Sequence, residues 1–578
     1  RPRPLFRSGP GDISCPGHSY ALTSNPDCGQ DIMYQRLIDS ENVLTRFAIL
    51  MLTVGVMGVG LGAVSAAAQT ADDAYRFSQR MPAVGTRALG MGGAGGVAGW
   101  ADPSAMYTNP AGLGYYDQSE ISGSLNALLS RDESTFQIFQ DSPTFTEASE
   151  NSTLRLGNFA GVYNFETTQG SLVFALGFNR TMAFDQEMTY AGDNAASSIT
   201  DTFLPFGDEY NITSDEPNVL PTIPFIAFQA GAIGYFESRF QDGEYPFLQA
   251  VAPGRQIRQE GSVTRGGSMN EFNFAGASEV APNIMLGLSA NVVYGRYVFE
   301  HELTEIDQEG VDDYSVVAGQ GILEDFESVF FRERFTSDLT GFNMRFGVSA
   351  DATNQVRVGF SVETPTWYSI DEEFTNAFIR TNFANGSLTY GDDPAEDAGR
   401  GTFDYRLRTP WRISTGVSYN SDPVLASIDV EFVDWTQTNL DADRTDFELE
   451  NDVLDEEYGY VFNWRGGLEY RLQSGLRLRG GLAYRPDARN DEFTFADGDA
   501  EDRSRLFLSA GAGFQINDQI TLNFAWLHER SKDQFISYSG VAASTDTGLN
   551  PAPLDIAPPF VDEDLTRNQF QIGATYRF

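Results

Sequence analysis

From residue 119 to residue 578 the chain alternates apolar and polar residues with a period of two. Successive side chains of a strand point to opposite faces, so this pattern describes strands with one greasy and one wet face. Ile413, Thr415, Val417 and Tyr419 alternate with Arg412, Ser414, Gly416 and Ser418. After Ser421-Asp422-Pro423, the residues Val424, Ala426, Ile428, Val430 and Phe432 oppose Ser427, Asp429 and Glu431. The pattern returns at Leu476, Leu478, Leu482 and Tyr484 against Arg477, Arg479 and Arg485, and at Ile520, Leu522, Phe524 and Trp526. Fourteen segments carry it, near 119–129, 152–166, 171–183, 268–279, 284–301, 335–351, 356–368, 403–420, 424–436, 458–472, 475–486, 503–515, 519–536 and 566–578. Short connections fall at Thr167–Gly170, Val280–Asn283, Ala352–Asn354, Ser421–Pro423, Gln473–Ser474 and Ile516–Asp518. Long connections lie between them, the longest over 184–267.

Two all-β folds use such strands. A soluble sandwich buries the greasy faces against each other. A membrane barrel turns them outward, because lipid offers no hydrogen bonds to a sheet edge and the sheet must close on itself. An even strand number, with short turns at one end and long loops at the other, favours the barrel. So does the N-terminal region. Phe47 to Ala63 form the one long apolar run, with Arg46 before it and Ala66-Ala67-Ala68 after it, which reads as a secretory signal with cleavage near Ala68. Residues 1–32, ahead of Met33, are read as a non-native upstream extension, and 33–68 as the signal region. Both cysteines, Cys15 and Cys28, precede the signal, so the exported part is expected to have no disulfide and no cysteine metal site. Phe165, Tyr419, Tyr470, Phe514 and Phe578 sit beside short turns or at the last residue, on the apolar parity, as an interfacial aromatic belt would. The expected fold is therefore all-β: a transmembrane antiparallel barrel of about fourteen strands over 119–578, in the bacterial outer membrane.

Charge removes other classes. Acidic residues number 81 against 38 basic ones, a formal charge of −43, whereas a nucleic-acid binder needs a basic face. Lys532 is the only lysine. Such acidity suits a salt-adapted surface or simply acidic loops.

Residues 69–118 do not alternate. Gly90, Gly92 and Gly95 fit GxGxxG, but no βαβ unit surrounds them, so the glycines are read as permitting tight backbone packing in a compact plug. The stretch Ala88-Leu89-Gly90-Met91-Gly92-Gly93-Ala94 with Asp102-Pro103-Ser104-Ala105-Met106-Tyr107-Thr108-Asn109-Pro110-Ala111-Gly112-Leu113-Gly114, followed by fourteen strands, resembles the FadL/TodX-type outer-membrane transporters of long-chain fatty acids and other hydrophobic compounds. The segments 409–419, 425–435 and 464–487 are similar to that family's later strands. The motif is shared with PorV-type barrels of a protein-secretion system. The resemblance implies an N-terminal hatch plugging the lumen, capture of a hydrophobic molecule at the extracellular loops, and sideways release through a wall opening near a kinked third strand. It places Asn109, Pro110, Ala111 and Gly112 in the hatch beside that opening, with Gly177 available for the kink. A closing strand ending at Phe578 resembles the signal read by the outer-membrane assembly machinery.

Within this frame, residues 222–236 are the most apolar loop stretch, and Phe225, Ile226, Phe228, Ile233 and Phe236 are candidate capture residues. Arg345, Arg357, Arg465, Arg477 and Arg479 face the lumen by parity and are candidates to hold a substrate carboxylate. The same arginines could instead pair with Glu363, Asp429, Glu431 and Glu469. No catalytic group is expected: His301 and His528 show no partner constellation in the sequence. No cofactor or metal is expected, Asp497, Asp499, Glu501 and Asp502 reading as a solvated loop rather than a calcium site. The expected partners are a hydrophobic small molecule and membrane lipid, the expected state a monomer. A secretion scaffold and an open diffusion porin are the alternatives.

Overall fold

A computed structural model describes residues 70–138, 144–206, 220–308, 314–318, 321–391, 399–443, 445, 447–489, 502–544 and 552–578. The signal region, both cysteines, and Asp497, Asp499 and Glu501 lie outside the described residues.

Nineteen ladder segments form one sheet that closes on itself. They reduce to fourteen antiparallel barrel strands, because four strands are interrupted and a short arm, Gly386–Tyr390, folds back on its neighbour. The strands are β1 (Glu120–Gln137), β2 (Phe145–Phe165), β3 (Leu172–Ala183, continuing as Gln186–Asn194), β4 (Ile257–Ala281), β5 (Ile284–Asp307) and β6 (Phe326–Asp351). There follow β7 (Val356–Glu363 and Trp367–Phe383), β8 (Arg400–Arg408 and Arg412–Ser421), β9 (Val424–Asp434 and Asn439–Asp441), β10 (Tyr460–Arg471) and β11 (Leu476–Arg485). The last are β12 (Arg505–Gln515), β13 (Ile520–Ile536) and β14 (Phe560–Arg577). Closure is made by β1 against β14, in register from Glu120 opposite Arg577 to Gln137 opposite Phe560.

Exposure follows the parity. On β5, Ile284, Leu286, Leu288, Val292 and Tyr294 face outward and are exposed, while Ser289 and Asn291 face inward and are buried. Apolar outside and polar inside is the order a lipid-facing wall requires, and a soluble core would reverse it. Phe165, Tyr419, Tyr470, Phe514 and Phe578 are all exposed beside the short turns.

The strands run further than the alternation predicts. The expected loop over 184–267 contains the second half of β3 and the first eleven residues of β4, so the true excursion covers only 195–256. The same holds at the far ends of β1, β6 and β14. The physical reason is a reversal. Past Arg296, which pairs outside with Asp338, many inward positions become apolar (Leu303, Val329, Phe331, Ile379, Val561) and charges such as Glu300, Glu302 and Arg334 appear outside. These ends stand above the bilayer and are packed as a water-soluble protein packs.

Candidate functional site

Residues 70–118 fold within the ring of strands. The helix α1 (Ala71–Ser78) starts where Thr70 Oγ1 accepts from the Asp73 N–H at 3.3 Å, with Asp72 and Asp73 in its first turn and Arg76 in its last. Ala71, Ala74 and Phe77 form its buried side. Phe77 meets Tyr297 of β5 at 5.4 Å between ring centroids, and Tyr75 meets Trp435 at 4.4 Å. A short helix, α2 (Thr86–Gly90), leads into the glycine-rich turns.

The Asp-Pro and Asn-Pro pairs in the sequence are two successive caps. The Asp102 carboxylate accepts from the Ser104 N–H at 3.0 Å and opens a 3₁₀ turn over Pro103–Met106. Asn109 Oδ1 accepts from the Ala111 N–H at 3.1 Å and opens the next, Pro110–Tyr115. Each proline stands in the first turn, where its missing N–H costs nothing. The Asn109 amide also donates to Val97 O at 2.7 Å and to Val348 O of β6 at 3.0 Å, tying plug to wall.

The glycine segment does hold an anion, but one supplied by the barrel. Asp429 of β9 accepts from the N–H groups of Gly95 at 2.9 Å and Val97 at 3.2 Å. Gly92, Gly93 and Gly95 all have positive φ, the conformation that turns successive N–H groups toward one point. The wall is relieved opposite them. Side chains at the inward-facing Gly287, Gly347, Gly359 or Gly481 would collide with the backbone or caps of the plug.

Four of the five sequence-predicted arginines are engaged in this seating. Arg345 donates to both Glu271 oxygens at 2.6 and 2.7 Å and to Glu363 at 2.7 Å. Arg465 reaches Glu431 and Pro82 O, each at 3.2 Å. Arg479 reaches Glu469 at 2.9 Å and Asn523 at 2.8 Å. Arg357 reaches Asp351 at 2.7 Å and Gly99 O at 2.6 Å. Arg477 stands near the periplasmic end of the lumen, opposite Arg471 and Gly513. From the plug side, Arg80 pairs with Glu363 and, at 2.7 Å, with Glu431. Buried charges of this kind must be paired, since an uncompensated one is strongly destabilising. They hold the plug, and a substrate carboxylate would have to displace a partner to reach them.

A further space lies away from this network. A small cavity, partly open to solvent, is lined by Met81, Ala83, Val84 and Gly85 of the plug and by Asn126, Leu128, Gly157, Arg180, Met182, Ala183, Leu527, Glu529, Arg567, Gln569 and Gln571 of the wall. Its lining is mixed, with Leu, Met, Ala and Val beside Arg180, Arg567, Glu529 and three amides, and the buried Arg567 Nε has no partner among the described residues.

The wall is broken beside that cavity. β2 and β3 keep register from Phe165 opposite Leu172 to Asn158 opposite Asn179, and there the ladder ends. Residues 145–157 of β2 have no backbone ladder partner on that side among the described residues. β3 shifts register against β4 between Arg180 and Met182 and stays paired with β4 through Asn194. Its continuation is held by hydroxyls, with Ser134 of β1 donating to Thr189 O and Ser149 of β2 donating to Glu187 O. On the outside the break is flanked by Leu154, 72% exposed, and by Leu156 and Phe272, so it opens at the level of lipid.

The remaining candidate residues take definite places in the structure. Gly177 is in register with Ala160 and Asn273; the irregularity falls beyond it, and Gly177 instead gives room to Met106 of the plug. Asn109, Pro110 and Ala111 lie against Gly287 of β5 and Gly347 of β6, and Gly112 against Gly99 and Trp100 within the plug. Met81–Gly85 is the plug segment at the cavity. The capture candidates form part of the extracellular cap. Phe225, Ile226 and Phe228 lie on the helix α3 (Thr222–Gln229), Ile233 on a short strand and Phe236 just after it. Ile226 and Ile233 are fully buried, and Phe228 and Phe236 pack on the same apolar core as Phe136, Leu303 and Phe331. In that cap, burial pushes the Asp201 carboxyl above its ordinary value, opposed by the Ser198 N–H and the Gln249 amide. His301 meets Tyr190 at 2.9 Å and Glu333 at 3.2 Å and is buried; His528 faces Asn568 at 3.1 Å on the outer wall.

A family model described as outer membrane protein transport protein (OMPP1/FadL/TodX) matches residues 249–552. Among solved structures, a FadL homologue of Pseudomonas aeruginosa is similar at 13% identity, covering 87% of this chain and 100% of its own, with a TM-score of 0.49. The P. putida toluene transporter TodX is similar at 11% identity, covering 86% and 99%, with a TM-score of 0.46. The Ralstonia pickettii toluene transporter TbuX is similar at 16% identity, covering 86% and 99%, with a TM-score of 0.43. No curated protein matches the chain.

Proposed function

The chain belongs to the outer membrane protein transport family (OMPP1/FadL/TodX), and from that premise we propose that it carries hydrophobic small molecules, long-chain fatty acids or hydrocarbons, passively across the outer leaflet and releases them sideways into the bilayer. The observation that carries this reading is the end of the β2–β3 ladder beside a partly apolar cavity. A closed barrel in lipid has no physical reason to leave backbone groups unpaired, unless the break itself is used. The plug beneath the cavity is seated by Asn109, Asp429 and the Arg80 ion pairs, which favours lateral over axial release.

The cap is the capture end. Its apolar core is drawn from α3 and from the upper ends of the strands, so a hydrophobic molecule displacing α3 would exchange one apolar contact for another. In the cavity, Leu128, Leu527, Met81 and Met182 would surround the tail, and Arg567 with Arg180 would meet a carboxylate head group.

The test is uptake of radiolabelled oleate and toluene by cells lacking the gene, with and without the wild-type copy. Restored uptake of either supports the reading, and uptake that the gene leaves unchanged across both rejects it. Planar-bilayer conductance separates the porin alternative, since a seated plug predicts no steady current. Recovery of secretion-machinery subunits on pull-down would favour the scaffold alternative.

A further inference from the structure

Two side chains of β2 cross the break in the wall: Ser149 at its upper part, through Glu187 O, and Arg155 beside the last ladder pair. Arg155 of β2 projects to the inner side three residues above the last ladder pair, Asn158 with Asn179. Its Nη1 donates to Gly267 O of β4 at 3.2 Å, and its Nη2 pairs with Asp185, one of the two residues between the halves of β3. The guanidinium therefore joins β2 to both β3 and β4 across the place where the β2 and β3 backbones part. Its β4 anchor is rigid: Gly267 has φ +105° and cannot carry a side chain without striking Arg296 O, and its carbonyl also accepts from the Phe184 N–H at 3.1 Å. The β3 anchor is weak by construction. Asp185 offers one oxygen, and its other, Oδ2, is buried with no partner among the described residues. A single-toothed pair lacks the two-point hold of a bidentate one. Arg180, which lines the cavity, stands close enough to Arg155 for the two positive charges to compete for Asp185.

We propose that the Arg155–Asp185 pair is a latch on the lateral opening, closed in this structure and released when a hydrophobic molecule in the adjoining cavity draws Arg155 or Asp185 away. This rests on the lateral route proposed above and adds the residue that sets its rate. A purely structural pair would serve only to compensate the lost ladder. A latch must in addition slow passage while it is closed.

The test uses the full chain in liposomes, with transfer of pyrene-labelled dodecanoate from the aqueous phase into the bilayer followed by fluorescence. Arg155→Gln and Asp185→Asn should each speed transfer about fivefold, the scale set by losing one partly exposed ion pair. The double variant should be no faster than either single one. The exchanged pair, Arg155→Asp with Asp185→Arg, should return the rate toward wild type. Rates equal to or below wild type in barrels that keep their heat-modifiable gel shift would overturn the latch. If wild-type protein gives no more transfer than protein-free liposomes, the transport reading itself fails, and that outcome is distinct.

Discussion

The strands of this barrel are built to two opposite rules along their length. At the level of the short turns and for some ten residues beyond, the outward residues are apolar and the inward ones polar, as on β5 from Ile284 to Tyr294. Past Arg296 the same strand, with the same period of two, carries Glu300 and Glu302 outward and Leu303 inward. Neither the backbone nor the register changes at the crossover; only the solvent outside does. In the lower region lipid is the apolar phase outside, and the lumen is filled by a plug that ion pairs and hydrogen bonds tie to a polar inner wall. In the upper region water is outside and the cap segment 195–256 completes an apolar core. Alternation thus fixes strands, but the sense of burial must come from what surrounds them.

The sharpest way to break this comparison is to remove an inward apolar residue from the upper region. Phe331→Ala should cost the cap about 3–5 kcal/mol, read as faster hydrogen exchange over 195–256 while the lower strands stay protected. Placing a charge on the lipid side should come next: Leu288→Arg is expected to cost about 2–4 kcal/mol in a urea unfolding series of the reconstituted barrel. Removing the tie between plug and wall is smaller, with Asn109→Ala costing about 1–3 kcal/mol and appearing as increased conductance noise rather than unfolding. The smallest effect sharpens the comparison most. Val298→Arg, five outward positions above Leu288 on the same face of β5, should change stability by no more than about 0.5 kcal/mol. Equal costs at Val298 and Leu288 would show that the crossover at Arg296 is misplaced.

Much of the lower region was legible because one rule governs it. All fourteen strands and the six short turns follow from alternation and turn residues. The upper ends were lost because residues such as Phe326, Val329 and Phe331 reverse the parity that marks a lipid-facing strand. The two capping turns were present in the sequence as Asp102-Pro103 and Asn109-Pro110, each a cap followed by proline. Partner identity was not legible to the same degree. Glu363, Glu431 and Glu469 could be named as partners for lumen arginines by parity. That Arg80 joins Glu431 across 351 residues, or Arg345 joins Glu271 across 74, depends on barrel closure and on the plug filling it. The break between β2 and β3 had no local signal at Gly177. It lies where β3 parts from β2 beyond Asn179 while staying laddered to β4, with side-chain contacts to Ser134, Ser149 and Arg155 in place of the lost ladder.

The central claim is that cargo leaves through the wall while the plug stays in place. Thr86 of the plug and Gly573 of β14 can be locked together, since a Cβ built at Gly573 stands 3.2 Å from the Thr86 Cβ, near disulfide range. In liposomes, the Thr86→Cys/Gly573→Cys protein should transfer pyrene-labelled dodecanoate into the bilayer equally fast oxidised and reduced. Transfer that falls to the protein-free rate on oxidation and recovers on reduction would contradict the account, because the plug would then have to leave for cargo to pass.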